Sequence, residues 1–168
     1  KFSEALNAAY IKEGYAQLGG ETFTVGTPEK LAELGAVAMV EETATVYTSL
    51  QAAINAAESG NTVLLLDDVS VSSGLFTDTD IVLNLNKNTI TSTDSNAIIL
   101  LNGADATIQN GNIVVAYAGD SDAFGVFNSF EEAELILRDV NIDVSASAAE
   151  FAFAVYSKGS LTIENGVY

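Results

Sequence analysis

The side chains able to do chemistry in this sequence are almost all carboxylates. Asp and Glu number 23 against six Lys and Arg, giving a net charge of −17, and there is no Cys and no His. Those absences exclude thiol chemistry, disulfides, zinc sites built on His or Cys, and every catalytic triad that uses His. What remains is acid–base work by paired carboxylates, or a hard cation held by oxygen. The pairs are Asp67-Asp68, Asp78 with Asp80, Asp120 with Asp122, and Glu131-Glu132. Two carboxylates divide acid and base roles only when their environments separate their pKa values, normally in a groove. Each pair here sits in a turn-like context, where Asp is expected anyway, and adjacent strand residues point to opposite faces. No catalytic residue is assigned. Asp120-Ser121-Asp122, following Gly119, offers oxygen ligands in a loop, so Asp120 and Asp122 are the candidate calcium ligands, although the spacing and downstream Glu of an EF-hand are missing. No other cofactor is expected.

The elements that must position these groups repeat. Four segments from residue 83 onward share two apolar residues one apart, a polar turn two residues later, and a further apolar or aromatic residue. With Leu85, Ile108, Leu137 and Ile163 as anchors, the spacings are 23, 29 and 26 residues. A recurrence of this length, built on alternating strands and Asn or Gly turns, is the signature of a coiled repeat fold. Stacked turns would place the anchors above one another and bury a row that one turn cannot bury alone. Two positions past each anchor stand Lys87, Asn110, Asp139 and Asn165; Asn and Asp tolerate tight, left-handed corners. Secondary strands are expected at residues 97–101, 124–127 and 153–156, so a turn carries at least two strands. Arg138 follows its anchor directly and should point outward, beside Glu164 one turn on. The aromatic residues Phe124, Phe127, Phe130, Phe151, Phe153 and Tyr156 gather in the late turns, either as internal stacking or as an exposed platform for sugars or a neighbouring subunit.

Ahead of the coil, residues 2–18 read as a helix capped by Ser3 and ended by Gly19-Gly20, and residues 22–25 as a strand. Thr27-Pro28-Glu29 opens a second helix that stops at Gly35. The state of residues 36–40 is left open. Residues 45–47 read as a strand and Thr48-Ser49 as the cap of a helix over residues 50–58, with Leu50, Ala53, Ile54 and Ala57 on one face. A strand at residues 63–66 follows. Residues 1–46 break the repeat and form an N-terminal attachment or assembly region, while residues 47–168 form the coil. The chain begins without Met or a signal-peptide pattern and stops directly after a strand motif, so the coil is expected to continue past residue 168. Acidity argues against nucleic acid, which needs concentrated positive charge, and no apolar run is long enough to span a membrane.

The segment Ser49-Leu50-Gln51-Ala52-Ala53-Ile54-Asn55-Ala56-Ala57, followed by Gly60-Asn61-Thr62-Val63, resembles the helix-to-first-strand start of right-handed parallel β-helix proteins of the pectin-lyase-like class, where a short amphipathic helix caps the coil. Residues 64–69, 81–90 and 106–113 look like rungs of bacterial surface proteins and phage fibres of that class. The resemblance implies a mostly β, right-handed parallel β-helix (solenoid) preceded by a small α/β region. Lyases of the class use an Arg or Lys base beside calcium; only Lys87, Arg138 and Lys158 supply cations in this coil, and none is assigned that role. The expected function is a non-enzymatic structural or adhesive protein of an extracellular surface, either a phage virion fibre or spike or a bacterial cell-surface adhesin. Its expected partners are further copies of itself (a trimer among the possibilities) or neighbouring structural proteins, with glycans also in view. The alternatives are a polysaccharide lyase or glycoside hydrolase of the β-helix class, and a calcium-dependent surface-layer component.

Overall fold

The computed structural model describes residues 15–18, 21–24 and 35–168. Most of the helix expected over residues 2–18, and nearly all of the one over 27–35, lie outside them. Within them, Tyr15–Leu18 is a strand (β1), not the end of a helix, and pairs antiparallel with Glu21–Thr24 (β2). Gly19-Gly20, read as a helix stop, lies outside the described residues.

Residues 36–40 resolve as strand β3 (Ala38–Val40), followed by β4 (Thr45–Tyr47). Ser49 caps helix α1 (Leu50–Ala56), its hydroxyl accepting the Ala52 N–H at 3.4 Å. The helix ends two residues earlier than expected, and Leu50, Ala53 and Ile54 form its buried face.

The rest is a β-solenoid of about four turns. Each turn carries three strand positions, in keeping with the expectation of at least two. The first face holds β5 (Asn61–Leu65), β8 (Ile81–Asn84) and the leading halves of β11 (Ala106–Tyr117) and β13 (Glu134–Ala146), then β15 (Ser160–Val167). The second holds β6 (Val69–Val71), β9 (Thr89–Ser92) and the trailing halves of β11 and β13. The third is a separate four-stranded parallel sheet of β7 (Leu75–Thr77), β10 (Asn96–Leu100), β12 (Ala123–Asn128) and β14 (Ala152–Ser157). The strands expected at residues 97–101, 124–127 and 153–156 are this third face.

Three apolar rows run up the interior. Val63, Leu83, Ile108, Leu137 and Ile163 are register partners on the first face. Val69, Ile90, Ile113 and Ile142 line the second, and Leu75, Ile98, Val126 and Val155 the third. The expected stacking of Ile108, Leu137 and Ile163 holds, but Leu85 is not their fourth member. Leu83, two residues earlier, pairs with Ile108. The first corner contains four residues (85–88) where the next contains two (110 and 111), because Asn84 pairs with Gln109 and Thr89 with Asn112. Leu85 is fully buried in that longer corner and packs under Gly111, where any Cβ would collide with the Leu85 Cβ and approach Asn88 O to 2.6 Å.

The corner residues behave as their type predicts. Asn110, Asp139 and Asn165 stand one above another with φ of +61°, +50° and +58°, and in the longer first corner Asn86 and Lys87 take +51° and +71°. One left-handed residue per turn bends β11 and β13 from the first face to the second without ending them.

The coil is closed at its N-terminal end. Antiparallel β3 covers the edge of β5, and the Gln51 amide accepts the Phe76 N–H at 2.9 Å while donating to Phe76 O at 2.8 Å, so one side chain takes the place of a missing strand beside β7. On the last turn, by contrast, Ile163 is 48% exposed where Leu137 beneath it is 0%.

Gly111→Ala is expected to cost about 1–3 kcal/mol, since backbone rather than a flexible tip blocks the new methyl. Asn110→Ala should cost about 1–2 kcal/mol through its left-handed φ, and Asn110→Gly should restore most of it. Urea melts followed by circular dichroism read all three; a neutral Gly111→Ala would contradict the packing described for Leu85.

Candidate functional site

One member of each of three candidate pairs shares a structural habit with Asp105. Asp68, Asp80, Asp105 and Asp122 each sit immediately before a strand and accept the backbone N–H of the register equivalent one turn on. Asp68 takes the Thr89 N–H at 2.7 Å, Asp80 that of Asp105 at 2.9 Å, Asp105 that of Glu134 at 2.6 Å, and Asp122 that of Phe151 at 3.2 Å. Glu42, in the turn after β3, accepts the Thr62 N–H with both oxygens, at 3.0 and 2.9 Å, across the antiparallel cap rather than from one coil turn to the next. A carboxylate oxygen aimed at a strand's first free donor satisfies a group that the parallel ladder leaves unpaired, through a charge-assisted bond. Sequence reasoning took these residues for turn formers and missed the tethering. The signal was present as Asp-Val, Asp-Ile and Asp-Ala steps at residues 68–69, 80–81, 105–106 and 122–123.

The other pairs are placed differently. Asp67 accepts the N–H of Asp68, and Asp78 accepts the Thr79 hydroxyl. Glu131 and Glu132 are exposed, the latter lying against Gly103. Asp120 and Asp122, the candidate calcium ligands, lie in the loop between β11 and β12, with one Asp122 oxygen engaged by Phe151. Among the described residues no cluster of three or more Asp, Glu, His or Cys is arranged to hold a metal ion.

Arg138 points outward and pairs with Glu164, Nε to Oε2 at 2.8 Å, with the side chains 43% and 49% exposed. They continue an outward row that begins with Asn84 and Gln109. A pair so exposed contributes little stability. Among the described residues Glu41 is the one acidic side chain whose pKa is raised above its ordinary 4.5, first by desolvation and second by the neighbouring Glu42 carboxylate.

The late aromatic residues form two stacks on the outer side of the third face. Phe124 lies parallel to Phe153 with centroids 5.3 Å apart, and Phe127 to Tyr156 at 5.1 Å. Phe124 also meets Phe127 and Tyr156 edge-on. Rings stacked along the coil spend a face on each other, which limits what they present sideways. Phe130 stands outside the stacks; its N–H donates to the buried Asn128 side chain.

A concave shelf of about 630 Å³ opens where the left-handed corners stack, with Gly111 among its lining residues. Its walls are amides from three successive turns: Asn84 and Asn86, then Asn110 and Asn112, then Asn141, with Lys87 and Asp139 among them. Asn110 donates to Asn84 Oδ1 at 3.2 Å and Asn141 to Asn112 Oδ1 at 3.0 Å, so the amides are tied to one another along the axis. Of these Asn residues the sequence pattern marked only Asn110, with Lys87 and Asp139, as corner positions; the convergence of the five Asn residues on one shelf follows from the fold.

No protein-family model matches the chain, and neither curated proteins nor solved structures yield a significant match.

Asp105→Ala is expected to destabilise the fold by about 1–2 kcal/mol and Asp105→Asn by less, because the amide oxygen still accepts. Equal effects would show that the Glu134 N–H does not depend on the side chain. A carboxyl whose pKa is higher folded than unfolded costs stability once it ionises, a cost absent below the unfolded value. Glu41→Gln should therefore raise the melting temperature slightly at about pH 7 and leave it unchanged at about pH 3.

Proposed function

We propose that this chain is a non-enzymatic structural or adhesive β-solenoid of an extracellular surface, of the kind that forms the shaft of a phage fibre or spike or of a bacterial adhesin. One observation carries the reading: carboxylates that could act as acids and bases are instead committed as acceptors of backbone N–H groups one turn away. A group held by its own backbone donor is positioned to hold the coil. The acidic, polar outer surface fits a protein kept soluble at high local density. The resemblance of residues 49–63 to the capped start of right-handed β-helices points the same way. The region up to residue 46 serves attachment in this reading, and association with further copies or neighbouring structural proteins supplies the assembly.

Sedimentation and intact-mass measurements on the native protein, with reducing-end release from polysaccharides assayed in parallel, test the proposal. Stable multimers without release of reducing ends are expected. Release that disappears when carboxylates such as Asp78 or Asp120 are changed to amides would replace this reading with a polysaccharide-cleaving enzyme. Multimers that fall apart on chelation would bring a calcium-dependent layer protein to the front.

A further inference from the structure

We propose that the amide shelf at the stacked corners binds a short, neutral oligosaccharide lying along the coil axis. The inference rests on the surface-protein reading for the source of such a ligand, and on the shelf itself for its chemistry.

The shelf is built by backbone conformation. Left-handed corners at Asn86, Lys87, Asn110 and Asp139 recur turn after turn, and these residues line the shelf, which has five Asn residues in all. Asn112 and Asn141 are register partners, and strands of successive turns lie about 4.8 Å apart, so these two of the five amides stack along the coil. Their mutual bonds fix their orientation: Asn110 to Asn84, Asn141 to Asn112, and Asn86 to Leu65 O at 3.2 Å. Asn86, Asn110 and Asn141 each thereby spend one donor within the protein and keep another. The side-chain oxygens of Asn110 and Asn141 accept nothing from the described residues, and Lys87 makes no ion pair among them. The groups are ordered before any ligand arrives, which lowers the entropic cost of binding.

The lining selects a ligand class. Amides both donate and accept, as sugar hydroxyls do, so a hydroxyl-rich ligand can satisfy both kinds of site without a net charge. Lipids and apolar peptides find no aliphatic or aromatic wall on this shelf. A divalent cation finds one carboxylate, Asp139, where several oxygen ligands of that kind are needed. Nucleic acid would meet a chain of net charge −17. Lys87 and Asp139 contribute one charge of each sign, leaving the shelf balanced.

The test is titration of the ¹⁵N-labelled intact protein with chitotriose, cellotriose and maltotriose, following the Asn side-chain amide signals. At about 10 mM saccharide, enough to detect a Kd near 1 mM, shifts of the Asn110, Asn112 and Asn141 side chains are expected with at least one sugar. Asn112→Ala and Asn141→Ala, which leave the left-handed corners untouched, should each weaken binding about fivefold to tenfold, the loss of one or two hydrogen bonds, with an unchanged melting temperature. No shifts at the shelf with any of the three would overturn the proposal, as would binding that both variants leave intact. Shifts confined to Phe127 and Tyr156 would move the sugar to the aromatic stacks and overturn the shelf while sparing the adhesive reading. Assembly and reducing-end release are read separately, so the wider proposal stands or falls on other data.

Discussion

Parallel pairing between successive turns is the constraint on which the rest of this structure depends. It forces each residue to lie over its equivalent one turn earlier, so most rows keep one character along the coil, with exceptions such as Leu100 between Thr77 and Asn128. Inward rows must be apolar throughout: one polar member would be enclosed between its neighbours without water. The exceptions obey the cost of burying polar groups. Asn128 is fully buried, and its amide is satisfied by Ser157 Oγ and by the backbone of Phe130. Ser92, also buried, bonds to backbone within its own corner.

The same stacking sets how unequal turn lengths are absorbed. A solenoid tolerates extra residues at corners and between strands, where they bulge outward, and rarely within a strand. The two additional residues at 85–88 illustrate the exception to outward bulging, because Leu85 turns in and Gly111 above it gives way. The loops before β12 and β14 lengthen outward instead. Carboxylates at strand starts then tie one turn's corner to the next, resisting the sideways slip that a ladder of weak, repeated pairings otherwise allows.

The two ends of the coil differ in chemistry. Helix α1, strand β3 and the Gln51 amide satisfy edge donors and acceptors and close the core at the start. On the last turn, inward-row members Leu161 and Ile163 remain 40% and 48% exposed, and Phe153 and Tyr156 each have one ring face occupied by a stacking partner.

Sequence alone determined the coil, the short capping helix at Leu50, the left-handed corners at Asn110, Asp139 and Asn165, and the outward pairing of Arg138 with Glu164. Each follows from a local rule: alternation, capping, the tolerance of Asn and Asp for positive φ, and a spacing of one turn. Only the tertiary structure decided the register, and with it the replacement of Leu85 by Leu83 in the inner row, since both offsets satisfy the same alternation. It also decided that Tyr15–Leu18 pairs as a strand, that each turn carries three strand faces, and that scattered Asn residues share one shelf. The reason is the same in every case. A local pattern states which way a side chain points, but not which residue, 20 or more positions away, it will meet.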